Sequence, residues 1–156
     1  MSVGIIDLIT PQSIIPNLHA TSKKQVLQAL SHRAAEITQE HERTIFEVLL
    51  ARERLGTTGV GAGVAIPHGK LPGLDRIFGV CARLDSPVDF ESVDDQPVDL
   101  LFLLLAPESA GADHLKALAR VSRLLRDKET CDKLRGAETA EVLYFLLTET
   151  AASHAA

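Results

Sequence analysis

Thr57-Thr58-Gly59-Val60-Gly61-Ala62-Gly63-Val64-Ala65-Ile66-Pro67-His68-Gly69-Lys70 is the stretch from which the rest of the chain is read. Val64 to Ile66 is a short apolar run of strand type, and Pro67 has no N–H to offer a sheet, so a strand is expected to stop just before His68. That puts an imidazole at a strand end. Pro67 fixes its own φ and pushes Ile66 into an extended conformation, so the backbone that aims the ring is stiff on one side. Gly69 leaves room on the other side, for an approaching molecule and for a backbone amide to meet an anion. A displayed, reactive histidine fits these residues. So does a plain loop, strand and turn with a histidine on its surface.

Two nucleotide-binding motifs are excluded. A dinucleotide fingerprint needs a small third residue, but the positions counted from Gly59-Gly61 and Gly61-Gly63 hold Val64 and Ile66. A P-loop needs Gly five places before Gly69 and a hydroxyl after Lys70, where Val64 and Leu71 stand. The glycines are read as shaping a turn.

Working outward, Val98 to Ala106 is an almost unbroken apolar run that suits a strand covered on both faces, and it is the expected centre of a sheet ended by Pro107. Phe78, Val80, Ala82 and Leu84 alternate as in a second strand, and Pro87 to Phe90 suggests a further short extended piece before the acidic loop Glu91 to Asp95. Upstream, Ser22 and Gln25 match a capping box, and Val26, Leu27, Leu30, Ala34 and Ile37 recur at helical spacing, predicting a helix over 23–37. A second helix is expected from Glu40 to Leu55, capped by Thr38 and stopped by Gly56 in the left-handed position. Its stripe is Ile45, Val48 and Leu49. Arg52 continues that stripe, either as a stem packed on the core with its head in water or as a guanidinium held for an oxyanion.

Downstream, a third helix is expected over 112–127 with Leu115, Leu118, Ala119, Ser122 and Leu125 on its buried stripe, and His114 opens it. The positive end of the helix dipole disfavours imidazolium there, so His114 reads as a neutral donor or as a polar residue in a fraying first turn. Short helical turns near Thr130 to Leu134, a last helix from Thr139 to Thr148 and a disordered tail over 150–156 complete the chain. Ile5 to Ile9 reads as a short strand or an apolar latch, with Pro11 and Pro16 keeping the next segment irregular. Helices, then strands, then helices give an α/β three-layer sandwich, a small mixed sheet flanked by helices on both faces, in one domain over 5–149.

The 156 residues suit a single domain, and 16 basic against 21 acidic residues, a net charge of −5, argue against a nucleic-acid partner. Lys116, Arg120 and Arg123 make a basic stripe of the kind that usually faces solvent. Cys81 and Cys131 form no Cys-x-x-Cys pair and read as reduced, inert thiols. Asp7 interrupts the N-terminal apolar residues and Leu100 to Ala106 is too short to cross a bilayer, so a cytoplasmic protein without membrane insertion is expected.

His68, Arg52 and His114 together make a set suited to phosphoryl transfer. A neutral imidazole near its ordinary pKa of about 6.5 is a competent nucleophile, and the transferred group needs donors for its equatorial oxygens. Arg52, His114 and the amides around Gly69 could provide them, with no cofactor and no metal when the donor is another phosphohistidine. A metal-dependent hydrolase is the reading from another class, but no His-x-x-x-His, Cys-x-x-Cys or aspartate cluster supports it.

The chain resembles the enzyme IIA components of the phosphoenolpyruvate-dependent phosphotransferase system, of the mannitol/fructose type and especially its nitrogen-regulatory branch. The resemblance is carried by Arg52-Glu53-Arg54-Leu55-Gly56-Thr57-Thr58-Gly59-Val60-Gly61, Ala65-Ile66-Pro67-His68-Gly69-Lys70, Gln96-Pro97-Val98-Asp99-Leu100-Leu101-Phe102 and His114-Leu115. It implies that His68 is phosphorylated on Nε2, that His114 and Arg52 surround the phosphoryl group, and that Thr57 and Thr58 add a supporting hydrogen bond. It also implies an HPr-like phosphocarrier as donor, and regulatory target proteins read by phosphorylation state. A stand-alone sugar-type IIA component passing phosphate to a IIB domain is the other branch it leaves open.

Overall fold

β6 (Val98–Pro107) lies in the middle of the sheet, as its apolar run predicts. Strand side chains alternate between faces, so Leu100, Phe102 and Leu104 enter one core while Leu101, Leu103 and Leu105 enter the other. Each such side chain, fully withdrawn from water, contributes about 1.5–3 kcal/mol. The computed structural model describes residues 4–155, with side chains over 4–149.

The elements run α1 (Ile5–Leu8), a 3₁₀ turn (Pro11–Ser13), β1 (Ile14–Leu18), α2 (Lys23–Thr38), α3 (Glu42–Leu55), β2 (Gly59–Gly61), β3 (Val64–Ala65), β4 (His68–Leu71) and β5 (Phe78–Val88). After β6 come α4 (Ala112–Arg126), α5 (Lys128–Arg135) and α6 (Ala140–Ala155). The sheet order is β1-β5-β6-β3-β2, with β4 also on β6. β5 is antiparallel to β6, whereas β3 and β4 are parallel to it. The α2 and α3 stripes close one core, and α1, α4, α5 and α6 close the other. That is the mixed sheet between two helical layers.

Several boundaries differ from the sequence reading, each for a local reason. β1 occupies the segment expected to be irregular, because it is an edge strand pairing only with β5, where Pro16 is tolerated. The first apolar residues form no strand; α1 is a helical latch that buries Ile5 and Leu8. Thr38 does not cap α3. It ends α2, its hydroxyl donating back to the Ala34 carbonyl at 2.8 Å, and Gln39 then turns the chain at φ 65°. Gly56 closes α3 at φ 157°, ψ 151°, a positive-φ conformation that residues with side chains rarely adopt, and not in the left-handed helical turn. Pro87 and Val88 belong to β5 and not to a separate piece, and α6 continues through Ala155 where a tail without structure was expected.

The largest correction concerns the strand before His68. β3 stops at Ala65, yet β4 resumes at His68 on the same side of β6 with the register unchanged, Val64 facing Leu100 and His68 facing Leu104. Pro67 lacks only the donor. Its carbonyl still accepts from the Leu104 amide at 2.9 Å, which keeps the chain on the ladder. His68 therefore begins the second half of an interrupted strand.

Glycines do shape the β2–β3 turn. At Gly63 (φ 80°) a Cβ would collide with the Arg135 guanidinium, which pins the turn by donating to the Ala62 carbonyl at 2.7 Å and to Asp99 at 3.0 Å. Gly69 serves packing as well. A Cβ there would lie 2.4 Å from Val48 Cγ1, so the space expected to admit another molecule is filled by α3. Gly69→Ala is expected to lower stability by about 1–3 kcal/mol through overpacking, read as a fall in the urea midpoint at unchanged m. An unchanged midpoint would show that α3 moves freely on β4.

Candidate active site

Ile45 and Leu49 bury the inner stripe of α3, and Arg52, on the flank of that stripe in the last turn, is half-buried. Its guanidinium is fixed at two points. Nη1 donates to the Gly56 carbonyl at 2.9 Å and Nε donates to Nε2 of His68 at 3.2 Å. The other ring nitrogen, Nδ1, lies 2.9 Å from the Ile66 carbonyl.

These two partners determine the tautomer. Arginine can only donate and a carbonyl can only accept, so the proton sits on Nδ1 and the lone pair on Nε2. The break at Ile66-Pro67 is what allows this, since it turns the Ile66 carbonyl toward the ring two residues on. His114 stands in the first turn of α4, buried, with its ring centroid 5.9 Å from that of His68 and its Nδ1 without a hydrogen-bond partner among the described residues. A cavity of about 190 Å³ opens beside them, lined by Arg52, His68, Thr57, Thr58, Leu118 and Ser122 among others.

Both imidazoles titrate below the ordinary histidine value. For His68 burial is the main cause and the Arg52 charge adds to it, with the Ile66 hydrogen bond and the Glu53 charge opposing. For His114 burial again leads, followed by the positive charges of His68 and Lys70. The unfolded chain therefore binds more protons than the folded one as pH falls below about 6.5. Stability from these groups is fully present above that pH and is lost as pH falls through the folded values. Imidazole NMR titration should show both rings protonating below the unfolded histidine midpoint; a midpoint above it would contradict the burial seen here.

The sequence-predicted trio of His68, Arg52 and His114 is thus brought together in one place. Thr57 and Thr58 line the cavity, but their hydroxyl protons go to the protein: Thr57 Oγ1 donates to the Phe90 carbonyl at 2.8 Å, and Thr58 Oγ1 donates to Glu53. Gly69 is drawn into the β4–β6 ladder and packed under Val48. The α4 stripe is displaced from the expected one. Its buried residues are His114, Ala117, Val121, Leu124 and Leu125, which turns Leu118 and Ser122 toward the cavity and leaves Leu115 67 % exposed. Lys116 and Arg123 face solvent on the outer side and Arg120 is half-buried.

Sequence reasoning passed over Glu53 and Lys23, a buried carboxylate and its ammonium partner 2.7 Å away. The signal was legible: Glu53 follows Ile45 and Leu49 at intervals of one helical turn, and an acid on an apolar stripe calls for a partner. Cys81 and Cys131 are free and buried, and burial pushes the Cys81 thiol up to about 12 and raises that of Cys131. Among the described residues no three His, Cys, Asp or Glu side chains are grouped to hold a metal ion, and no helix is long and apolar enough to cross a membrane.

The chain is 64 % identical over 143 residues to a nitrogen regulatory protein of Bradyrhizobium diazoefficiens, covering 92 % of this chain and 94 % of the relative. It is 43 % identical over 148 residues to a nitrogen regulatory protein of Pseudomonas aeruginosa, covering 94 % and 96 %. The fold superposes with a TM-score of 0.87, at 33 % identity, on the crystal structure of nitrogen regulatory protein IIA-Ntr from Neisseria meningitidis, covering 91 % of this chain and 97 % of that one. Residues 7–150 match the family described as phosphoenolpyruvate-dependent sugar phosphotransferase system, EIIA 2. The match over residues 7–150, on this fold and with these relatives, places the chain in the EIIA 2 family of that phosphotransferase system.

Proposed function

We propose that this protein is a cytoplasmic phosphoryl carrier of the nitrogen-regulatory branch, a single domain over residues 5–149 that is phosphorylated on Nε2 of His68 by an HPr-like phosphocarrier. The observation that carries the reading is the double clamp on His68, with Ile66 holding the proton on Nδ1 and Arg52 holding the lone pair of Nε2. In the transfer, that lone pair forms the new N–P bond while the electrons of the donor's N–P bond return to the donor imidazole. His68 keeps its Nδ1 proton throughout. Arg52, still held through Nη1 by the Gly56 carbonyl, turns its Nε–H from the ring nitrogen to a phosphoryl oxygen, and His114, its ring centroid 5.9 Å from that of His68, offers a second donor.

A protein donor needs a docking surface, and large apolar side chains are exposed around the cavity. Leu55 follows Arg52 by one turn and is 85 % exposed, Val60 lines the cavity at 48 %, and Leu115 precedes Leu118. A phosphate on His68 places about two negative charges inside this apolar rim, which favours partners of one phosphorylation state over the other. This supports a regulatory role among the relatives named above; the same rim serves donor and target.

Incubation with phosphoenolpyruvate, enzyme I and the phosphocarrier should yield one acid-labile, base-stable phosphate on the chain. A protein that stays unlabelled beside an active carrier would refute the reading.

A further inference from the structure

The pair of buried Glu53 and half-buried Lys23 has no part in the phosphoryl transfer described above. A buried ion pair is weak evidence of stability, since an apolar pair of similar volume often does as well. Glu53 is only 8 % exposed, and both of its oxygens are engaged: the Thr58 amide donates to each at 3.2 Å, the Thr58 hydroxyl donates to Oε1, and Lys23 Nζ lies 2.7 Å from Oε2. Lys23 also donates to the Phe90 carbonyl at 3.3 Å, the same oxygen that accepts from Thr57. The loop from Gly56 to Gly59 is thereby anchored at two successive residues.

Two routes lead from that loop to the two nitrogens of one ring. The Thr58 carbonyl accepts from the Ile66 amide at 3.0 Å, and the Ile66 carbonyl accepts from Nδ1 of His68. The Gly56 carbonyl accepts from Nη1 of Arg52, whose Nε meets Nε2 of His68. We infer that Glu53, compensated by Lys23, is a positioning residue that holds His68 in its Nδ1–H tautomer and Arg52 in line with Nε2. The inference rests on the carrier reading for its kinetic consequence, but the tautomer it predicts does not.

The test uses the full chain with Glu53→Gln, which keeps the volume and loses the charge. In the wild type, ¹⁵N-resolved imidazole spectra should show His68 protonated on Nδ1 alone. In folded Glu53→Gln they should show a mixture of tautomers. The kcat for uptake from the phosphocarrier should fall about tenfold, in keeping with sub-ångström misplacement of a reacting group. The KM for the carrier should stay within about twofold, since the docking rim is untouched. Lys23→Met, which removes the ammonium and one donor to Phe90, should change tautomer and kcat in the same direction and serves if Glu53→Gln does not fold.

A folded variant with the wild-type tautomer and kcat overturns the inference. So does a raised KM at unchanged kcat, which would assign Glu53 to docking. If the wild type takes up no phosphate, the carrier reading fails, and the tautomer shift alone then decides whether Glu53 positions the ring.

Discussion

His68→Ala should abolish phosphoryl uptake completely while leaving the fold intact. The nucleophilic lone pair leaves with the ring, and no other described side chain presents an imidazole nitrogen to the cavity with both its proton and its lone pair assigned. His114 is 5.9 Å away centroid to centroid, but it is buried in the first turn of α4 and has no carbonyl on Nδ1 to fix its tautomer. Stability should change little. His68 is half-buried and makes two side-chain hydrogen bonds, each contributing on the order of 1 kcal/mol net. Phosphate label from the carrier relay, followed at neutral and alkaline pH, checks the expectation. Label that persists on a folded His68→Ala chain would move the acceptor elsewhere.

Arg52→Lys should slow uptake by about 10²-fold, the usual effect of losing one aligned donor to developing oxyanion charge. The charge is kept, so an effect of this size isolates geometry. The guanidinium spans the Gly56 carbonyl and Nε2 of His68 with two different nitrogens, and that span is what makes it stiff. An ammonium on a flexible stem is a single point and cannot hold both. Rapid-quench measurement of transfer from the phosphorylated carrier reads the effect directly, and a rate within about twofold of wild type would show that charge alone suffices. The prediction sits well with half-burial of Arg52, because a fully solvated arginine would gain little from a fixed orientation.

Much of this was readable along the chain. The apolar run of β6, the capped start of α2 and the helical spacing of α3 are local signals, and each became the element it implied, whereas the histidine stretch gave the break at Pro67 but not the strand that resumes at His68. His68, Arg52 and His114 were legible as a set because each breaks a local pattern: a proline before a ring, an arginine continuing an apolar stripe, an imidazole at a helix start. The phase of α4 was not legible. Leu115 and Leu118 look as buried as Leu124, and only the sheet beneath decides that His114, Ala117 and Val121 face inward.

The amino-acid order by itself determined the three layers and the central strand, since periodicity, proline and glycine act within a few residues, and its motifs carried the resemblance to the family. Tertiary structure alone decided that the strand resumes after Pro67 in register, that Gly69 yields its space to Val48, and that buried Glu53 pairs with half-buried Lys23. The reason is physical. Those outcomes depend on groups distant along the chain, Arg52 with His68 across 16 residues, Thr57 with Phe90 across 33, and Lys23 with Phe90 across 67, and no local propensity reports which of them meet.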